Sequence, residues 1–204
     1  MNRLKRQRLM RKGRKRYSGP IPGDRVHMDV CKIAPRLYQY TAIDDRSRCQ
    51  VIGLFRSRSA KSTLAFLDQL VEEMPVSIQR IQTDRGQEFF AYAVQDRLRS
   101  WSIKFRPIPP RSPHLNAKVE RVQRTALDEF WPTVNIMDPE LEVRLAEWQH
   151  FYNWERPHDS LSGLAPIDRL CDRTTLAPTG EEIAATYDQD RELILPRDYW
   201  PSSG

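Results

Sequence analysis

Only three cysteines, Cys31, Cys49 and Cys171, occur in 204 residues, and no two of them form a C-x-x-C pair. An odd, scattered set supports neither a disulfide framework nor a zinc site, and it fits a reduced, intracellular setting. No apolar run approaches the roughly 18 residues of a membrane-spanning helix. The start of the chain also lacks the apolar stretch of a signal peptide, so a soluble, cytoplasmic protein is expected. No internal repeat is visible. Acidic residues are missing from positions 3–16, which hold nine Lys or Arg, including Arg11, Lys12, Arg14, Lys15 and Arg16. The whole chain is formally +6, yet residues 17–204 carry 24 basic against 27 acidic side chains, so the excess is local to the start. Such a run reads as an arm that binds phosphates without sequence preference; the plainer alternative is a solvated tail.

At this length, with 39% hydrophobic residues, one main core is expected. The expected division is an arm and proline-rich connector (1–22), a catalytic core with a helical extension (23–170), and a tail with a short helix (171–204). Gly19-Pro20-Ile21-Pro22-Gly23 is a stiff connector, because proline fixes its own backbone and restricts its predecessor.

Beyond the connector, residues 25–33 alternate, with Val26, Met28 and Val30 on one face and His27, Asp29 and Cys31 on the other. Residues 38–43 and 49–55 read as two further strands, joined by a polar turn, and the three form an antiparallel meander. A helix over 60–74 stops at Pro75, a fourth strand runs over 78–83, a helix over 91–101 and a short fifth strand over 103–108. Pro107 to Pro113 reads as a loop, and residues 115–131 as a helix with Val119, Val122, Ala126 and Phe130 on its apolar face. A long helix over 139–154 carries the packing stripe Leu141, Leu145, Trp148 and Tyr152, and Thr179 with Glu182 forms a capping box that opens a short helix. This order predicts an α/β fold with a mixed five-stranded sheet, three antiparallel strands and then two parallel ones, flanked by helices.

The chemistry centres on Thr83-Asp84-Arg85-Gly86-Gln87-Glu88-Phe89, where a carboxylate stands at a strand end before an Arg-Gly turn. Asp29 lies in the first strand, and Glu120 follows Asp84 after 35 intervening residues on a helix. Three carboxylates on strand, strand end and helix suit hard divalent cations, which prefer oxygen ligands, and two such ions serve attack at a phosphodiester. Arg124 is one turn beyond Glu120, so it is read either as a phosphate contact, with Lys118 and Arg121, or as the ion-pair partner of Glu120. His27 is a poor ligand for Mg²⁺. Glu88 and Asp44 read as structural, and Arg156 and His158 as braces for the long helix.

Together, Met28-Asp29-Val30, the Asp84 segment and Asn116-Ala117-Lys118-Val119-Glu120-Arg121 resemble the Asp-Asp-Glu catalytic core of retroviral integrases and bacterial insertion-sequence transposases. Tyr152-Asn153-Trp154-Glu155-Arg156-Pro157-His158-Asp159-Ser160-Leu161 looks like a Tyr-Asn-x-x-Arg-Pro-His-x-x-Leu segment of the transposase branch. The resemblance spans residues 20–170. It implies an RNase H-like fold, with Asp29, Asp84 and Glu120 as catalytic residues and as ligands of Mg²⁺ or Mn²⁺, two ions in all. It further implies cleavage of DNA element ends and strand transfer into target DNA, action as a homo-oligomer, and a nucleoid-associated location. Two departures stand out: Ala117-Lys118 replaces a glycine often found there, and only some twenty residues precede the core. The second leads us to expect that a separately encoded helix-turn-helix protein recognises the DNA ends, or that the chain is a truncated copy. The competing readings are a noncatalytic DNA-binding remnant and an RNase H-like nuclease.

Overall fold

A computed structural model describes residues 21–198. Its centre is a five-stranded sheet in the order β3-β2-β1-β4-β5, with β1 Val26–Ala34, β2 Leu37–Asp44, β3 Gln50–Phe55, β4 Arg80–Thr83 and β5 Lys104–Pro107. β1, β2 and β3 pair antiparallel, whereas β4 lies parallel to β1 and β5 parallel to β4. The alternation in β1 has its expected meaning, but neither face is open to solvent. Val26, Met28 and Val30 join the core beneath α1 (Ala60–Glu73) and α2 (Tyr92–Ser100), along with Phe66, Leu70, Val94 and Leu98. On the opposite face Ile43 and Ile52 pack against α3 (Ala117–Glu129) and α4 (Leu141–Trp154). A sheet covered on both faces needs helices at both, which the chain supplies through its crossovers.

The elements begin and end within about two residues of the expected limits. α3 is shorter than the 115–131 span read from periodicity, because single 3₁₀ turns, Pro113–Leu115 and Trp131–Thr133, close its two ends. Its apolar stripe of Val119, Val122, Ala126 and Phe130 is buried against Leu141, Leu145, Trp148 and Tyr152 of α4.

An exposed edge strand invites pairing with other chains, and β3 is protected by amide side chains. Asn153 of α4 accepts from Gln50 N at 2.9 Å and donates to Gln50 O at 2.8 Å. Gln149 accepts from Ile52 N at 2.7 Å, and Gln69 of α1 donates to Ile52 O at 3.1 Å. The Tyr-Asn-x-x-Arg-Pro-His segment is therefore a structural joint. Tyr152 is buried, its ring lies 4.6 Å from that of His158 in an edge-on pair, and Arg156 holds Glu129 at the end of α3 through two hydrogen bonds.

The chain beyond residue 171 is fastened to this body. α5 (Pro166–Cys171) leads to α6 (Gly180–Thr186), which Thr179 and Glu182 open as a capping box and which buries Ile183. Farther on, Glu192 takes Arg106 in two hydrogen bonds of 2.6 Å, and Leu195 exchanges both backbone hydrogen bonds with the side chain of Gln95. Among the described residues no helix is long and apolar enough to cross a membrane.

Candidate active site

Met28 and Thr83 are the last register partners of the parallel strands β1 and β4, so Asp29, still within β1, and Asp84, just past the end of β4, follow side by side where this pairing stops. Crevices beyond such strand ends are where open α/β sheets bind ligands. Asp29 is 9% exposed; its Oδ1 accepts from Val30 N at 2.8 Å and its Oδ2 from Asn116 Nδ2 at 3.0 Å. Burial first, and then the charge of Asp84, push the Asp29 carboxyl up to about 6; Glu120 adds to the rise, while the two hydrogen bonds oppose it. Asp84 is more open, with Oδ1 accepting from Gly86 N at 2.9 Å, a short local turn that aims the carboxylate.

Glu120 stands in the first turn of α3, where a negative charge is favoured by the helix dipole. Asn116 precedes this helix at the capping position, yet its side chain makes no cap. It bridges the carboxylates instead, donating to Glu120 Oε1 at 3.2 Å as well as to Asp29. The residue is 8% exposed, and its Oδ1 is buried with no hydrogen-bond partner. A capping asparagine looks the same in sequence; the available signal was its place four residues before Glu120.

Asp29, Asp84 and Glu120 thus form one electrostatic cluster. Among the described residues no three His, Cys, Asp or Glu side chains are grouped closely enough to hold a metal ion. Asn116 stands between Glu120 and Asp29, and Arg58 lies 3.8 Å from Asp84 Oδ2. The chemistry of the set still suits a hard cation. All three side chains offer oxygen, the buried Asp29 anion is under-compensated, and the orphaned Asn116 Oδ1 is one more oxygen donor.

The basic residues expected to meet DNA divide into groups. Lys118 is half-buried and pairs with Asp45, a fully buried acid that also faces His27 at 3.4 Å and Arg48 at 3.6 Å; burial lowers the pKa of Lys118. Its ammonium is turned to the protein, because Asp45 would otherwise carry its charge into the interior with less compensation. Arg121 and Arg124 are exposed. Arg124 pairs with Asp128 at 3.0 Å and not with Glu120. Arg11, Lys12, Arg14, Lys15 and Arg16 lie outside the described residues. Glu88 and Asp44 have structural partners: Glu88 pairs with Arg58, and Asp44 accepts from Gly23, Arg46 and Ser47.

Two family models, each described as an integrase core domain, match residues 19–113 and 101–166, together spanning the sheet, the carboxylates and the Tyr152–Leu161 segment. The chain belongs to the integrase core family. This integrase core is 25% identical over 156 residues to the candidate integrase ORF3 of Spiroplasma virus SpV1-C74. That match takes in 66% of this chain but only 42% of the viral protein. Among solved structures, the catalytic core domain of HTLV-2 integrase in complex with magnesium, in its dimeric form, aligns with a TM-score of 0.56 at 17% identity. The alignment covers 73% of this chain and 97% of that one. The catalytic core domain of BIV integrase gives a TM-score of 0.59 at 18% identity, covering 74% and 95%. These similarities show the RNase H-like fold, a mixed five-stranded sheet flanked by helices.

Proposed function

We propose that this integrase core is the catalytic part of a DNA transposase or integrase, cutting DNA ends and joining the resulting 3′-hydroxyl to target DNA. The observation that carries this reading is the position of Asp29, which feels the charges of both Asp84 and Glu120 and is tied to Glu120 through Asn116. Asp29, Asp84 and Glu120 would hold two Mg²⁺ or Mn²⁺ ions. Bound there, the metal supplies positive charge that activates the attacking oxygen and stabilises the leaving one. HTLV-2 integrase core has been solved with magnesium, which supports the choice of ion. Asn116 orients two of the three carboxylates. Arg121 and Arg124, exposed on the helix of Glu120, are placed to meet DNA phosphates, and we assign the same role to Arg11, Lys12, Arg14, Lys15 and Arg16 of the arm. Action as a homo-oligomer on element ends and target DNA completes the proposal; the HTLV-2 core, solved as dimer and trimer, supports the first part.

The test is joining of a labelled duplex with an exposed 3′-hydroxyl into plasmid DNA. Glu120→Gln keeps the shape of the side chain but loses its charge, and we expect joining to vanish while folding and DNA affinity stay as in the wild type. Joining retained by Glu120→Gln sinks the assignment; an inactive wild type that still binds DNA favours a noncatalytic remnant.

A further inference from the structure

Arg58 stands in the loop between β3 and α1, remote in sequence from every motif carboxylate, yet it lies against the Asp84 turn. Its Nε donates to Glu88, whose side chain is only 5% exposed, and its Nη2 lies 3.8 Å from Asp84 Oδ2, too far for a hydrogen bond. The loop is held on both sides of Arg58: before it, the Ser57 hydroxyl lies 3.1 Å from that of Ser62 and its carbonyl accepts from Tyr40 at 3.5 Å. Ser59 caps α1 by accepting from Ser62 N, and Ser59 N donates to the hydroxyl of the buried Tyr40 at 3.3 Å. Gly86 makes room for the pair, since a Cβ there would lie 2.5 Å from Glu88 Oε1 and 2.7 Å from Arg58 Nη2. Although burial disfavours the charge, Glu88, Asp84 and Asp29 hold Arg58 more firmly protonated than usual. The Arg58 side chain, 42% exposed, opens onto a cavity of about 1000 Å³, also lined by Asp84, Arg85, Tyr92 and Arg197.

We infer that Arg58, aimed by Glu88, is a phosphate-positioning residue of the active site, gripping a nonbridging oxygen of the DNA backbone beside Asp84. The inference rests on the strand-transfer reading above. A buried carboxylate that fixes one edge of a guanidinium leaves the opposite fork oriented, and a planar fork suits phosphate oxygens. In the free protein Asp84 attracts that fork. A cation held by Asp84 would share that charge and leave a phosphate as the stronger acceptor for Arg58. No proton moves; the gain is orientation at the reacting phosphodiester.

The test compares wild type, the double variant Arg58→Met/Glu88→Gln, and Arg58→Lys. The double variant removes one positive and one negative charge, so net charge is unchanged and no buried carboxylate is stranded. In Mg²⁺, log affinity for a short duplex is plotted against log salt concentration. The double variant is expected to lose about 0.9 from the slope, the contribution of one phosphate contact, with a melting temperature close to wild type. An unchanged slope overturns the inference and leaves Arg58 as a clamp on the loop. Should the double variant fail to fold, Arg58→Lys decides: lysine lacks the fork needed to hold Glu88 and phosphate together, so joining at saturating DNA should fall by about tenfold, and wild-type joining overturns the inference. Asp84→Asn, assayed in parallel, separates the two claims. If that variant still joins DNA, the strand-transfer reading fails whatever the Arg58 slope shows.

Discussion

Met28 of β1 and Thr83 of β4 pair in parallel register, and this one pairing sets Asp29 beside Asp84. The cost of the arrangement falls on Asp29, which is buried, ionised at neutral pH and close to a second carboxylate.

In the metal-free protein at pH 7, Asp29→Asn is therefore expected to raise stability. The folded-state pKa of about 6 exceeds the ordinary value of 3.8, so the ionised form is disfavoured by folding and the penalty is complete above pH 6. About two pH units correspond to at most roughly 3 kcal/mol. Asparagine gives up one hydrogen-bond acceptor, leaving a net gain of roughly 1–2 kcal/mol, or a few degrees in melting temperature. Thermal melts in EDTA check this, and with Mn²⁺ added only the wild type should rise further. A lower melting temperature for Asp29→Asn in EDTA would falsify the charge-crowding account.

Asn153 and Gln50 are joined by two hydrogen bonds that cover the edge of β3. Asn153→Ala strands a partly buried N–H and C=O, with an expected loss of about 1–3 kcal/mol. Urea denaturation measures it. A midpoint equal to that of the wild type would mean that water replaces the amide without cost. Catalysis by the fraction that remains folded should be near normal, since neither residue touches the carboxylate cluster.

His158 predicts a pH dependence of the opposite sign to that of Asp29. Burial first, and then Arg156, lower its pKa below the ordinary 6.5, and Nε2 is buried without a partner. Arg48 disfavours the charged ring as well, whereas Glu129 favours it. The fold prefers the neutral imidazole, so stability is whole above pH 6.5 and is lost as pH falls, when the unfolded chain binds the proton more readily. Replacing His158 by Phe should remove this acid-side loss, seen as the difference between the two stability profiles from pH 8 to pH 5. Profiles that run parallel would exclude His158 as the responsible group.

The features legible in the sequence were those with a local signature. The alternation of β1 identified the side of the strand from which Asp29 projects, the short apolar run ending in Thr83 placed Asp84 at a strand end, and the stripe from Val119 to Phe130 set Glu120 on the solvent side of its helix. Contacts between distant polar groups have no periodicity. Asn116 reads as a helix cap whether it caps or bridges, and the approach of Arg58 to Glu88 depends on how the loop after β3 folds over the Asp84 turn. The fastening of the segment after residue 187 is equally hidden, because side chains such as Gln95 satisfy its backbone where a strand would have left an alternating pattern.

Lys118, Arg121 and Arg124 are neighbours on α3, but they should respond differently to substitution. Arg121 and Arg124 are exposed, so replacing either by Gln should lower the slope of log DNA affinity against log salt by about 0.9 while leaving stability within about 0.5 kcal/mol of wild type. The pair between Arg124 and Asp128 does not change this, because an exposed i,i+4 pair is worth only a few tenths of a kcal/mol and yields easily to a phosphate. Lys118 sits instead on the fully buried Asp45. Lys118→Met keeps the aliphatic stem but takes the paired ammonium from the buried Asp45, and should cost about 3 kcal/mol as a broken buried pair, with the salt slope unchanged. Because Lys118 lies two residues before Glu120, joining should fall as well, through displacement of the start of α3. Salt-dependent binding and chemical denaturation on the three variants separate the roles. A reduced slope for Lys118→Met at wild-type stability would return Lys118 to the DNA-contacting surface and leave Asp45 compensated by its remaining partners.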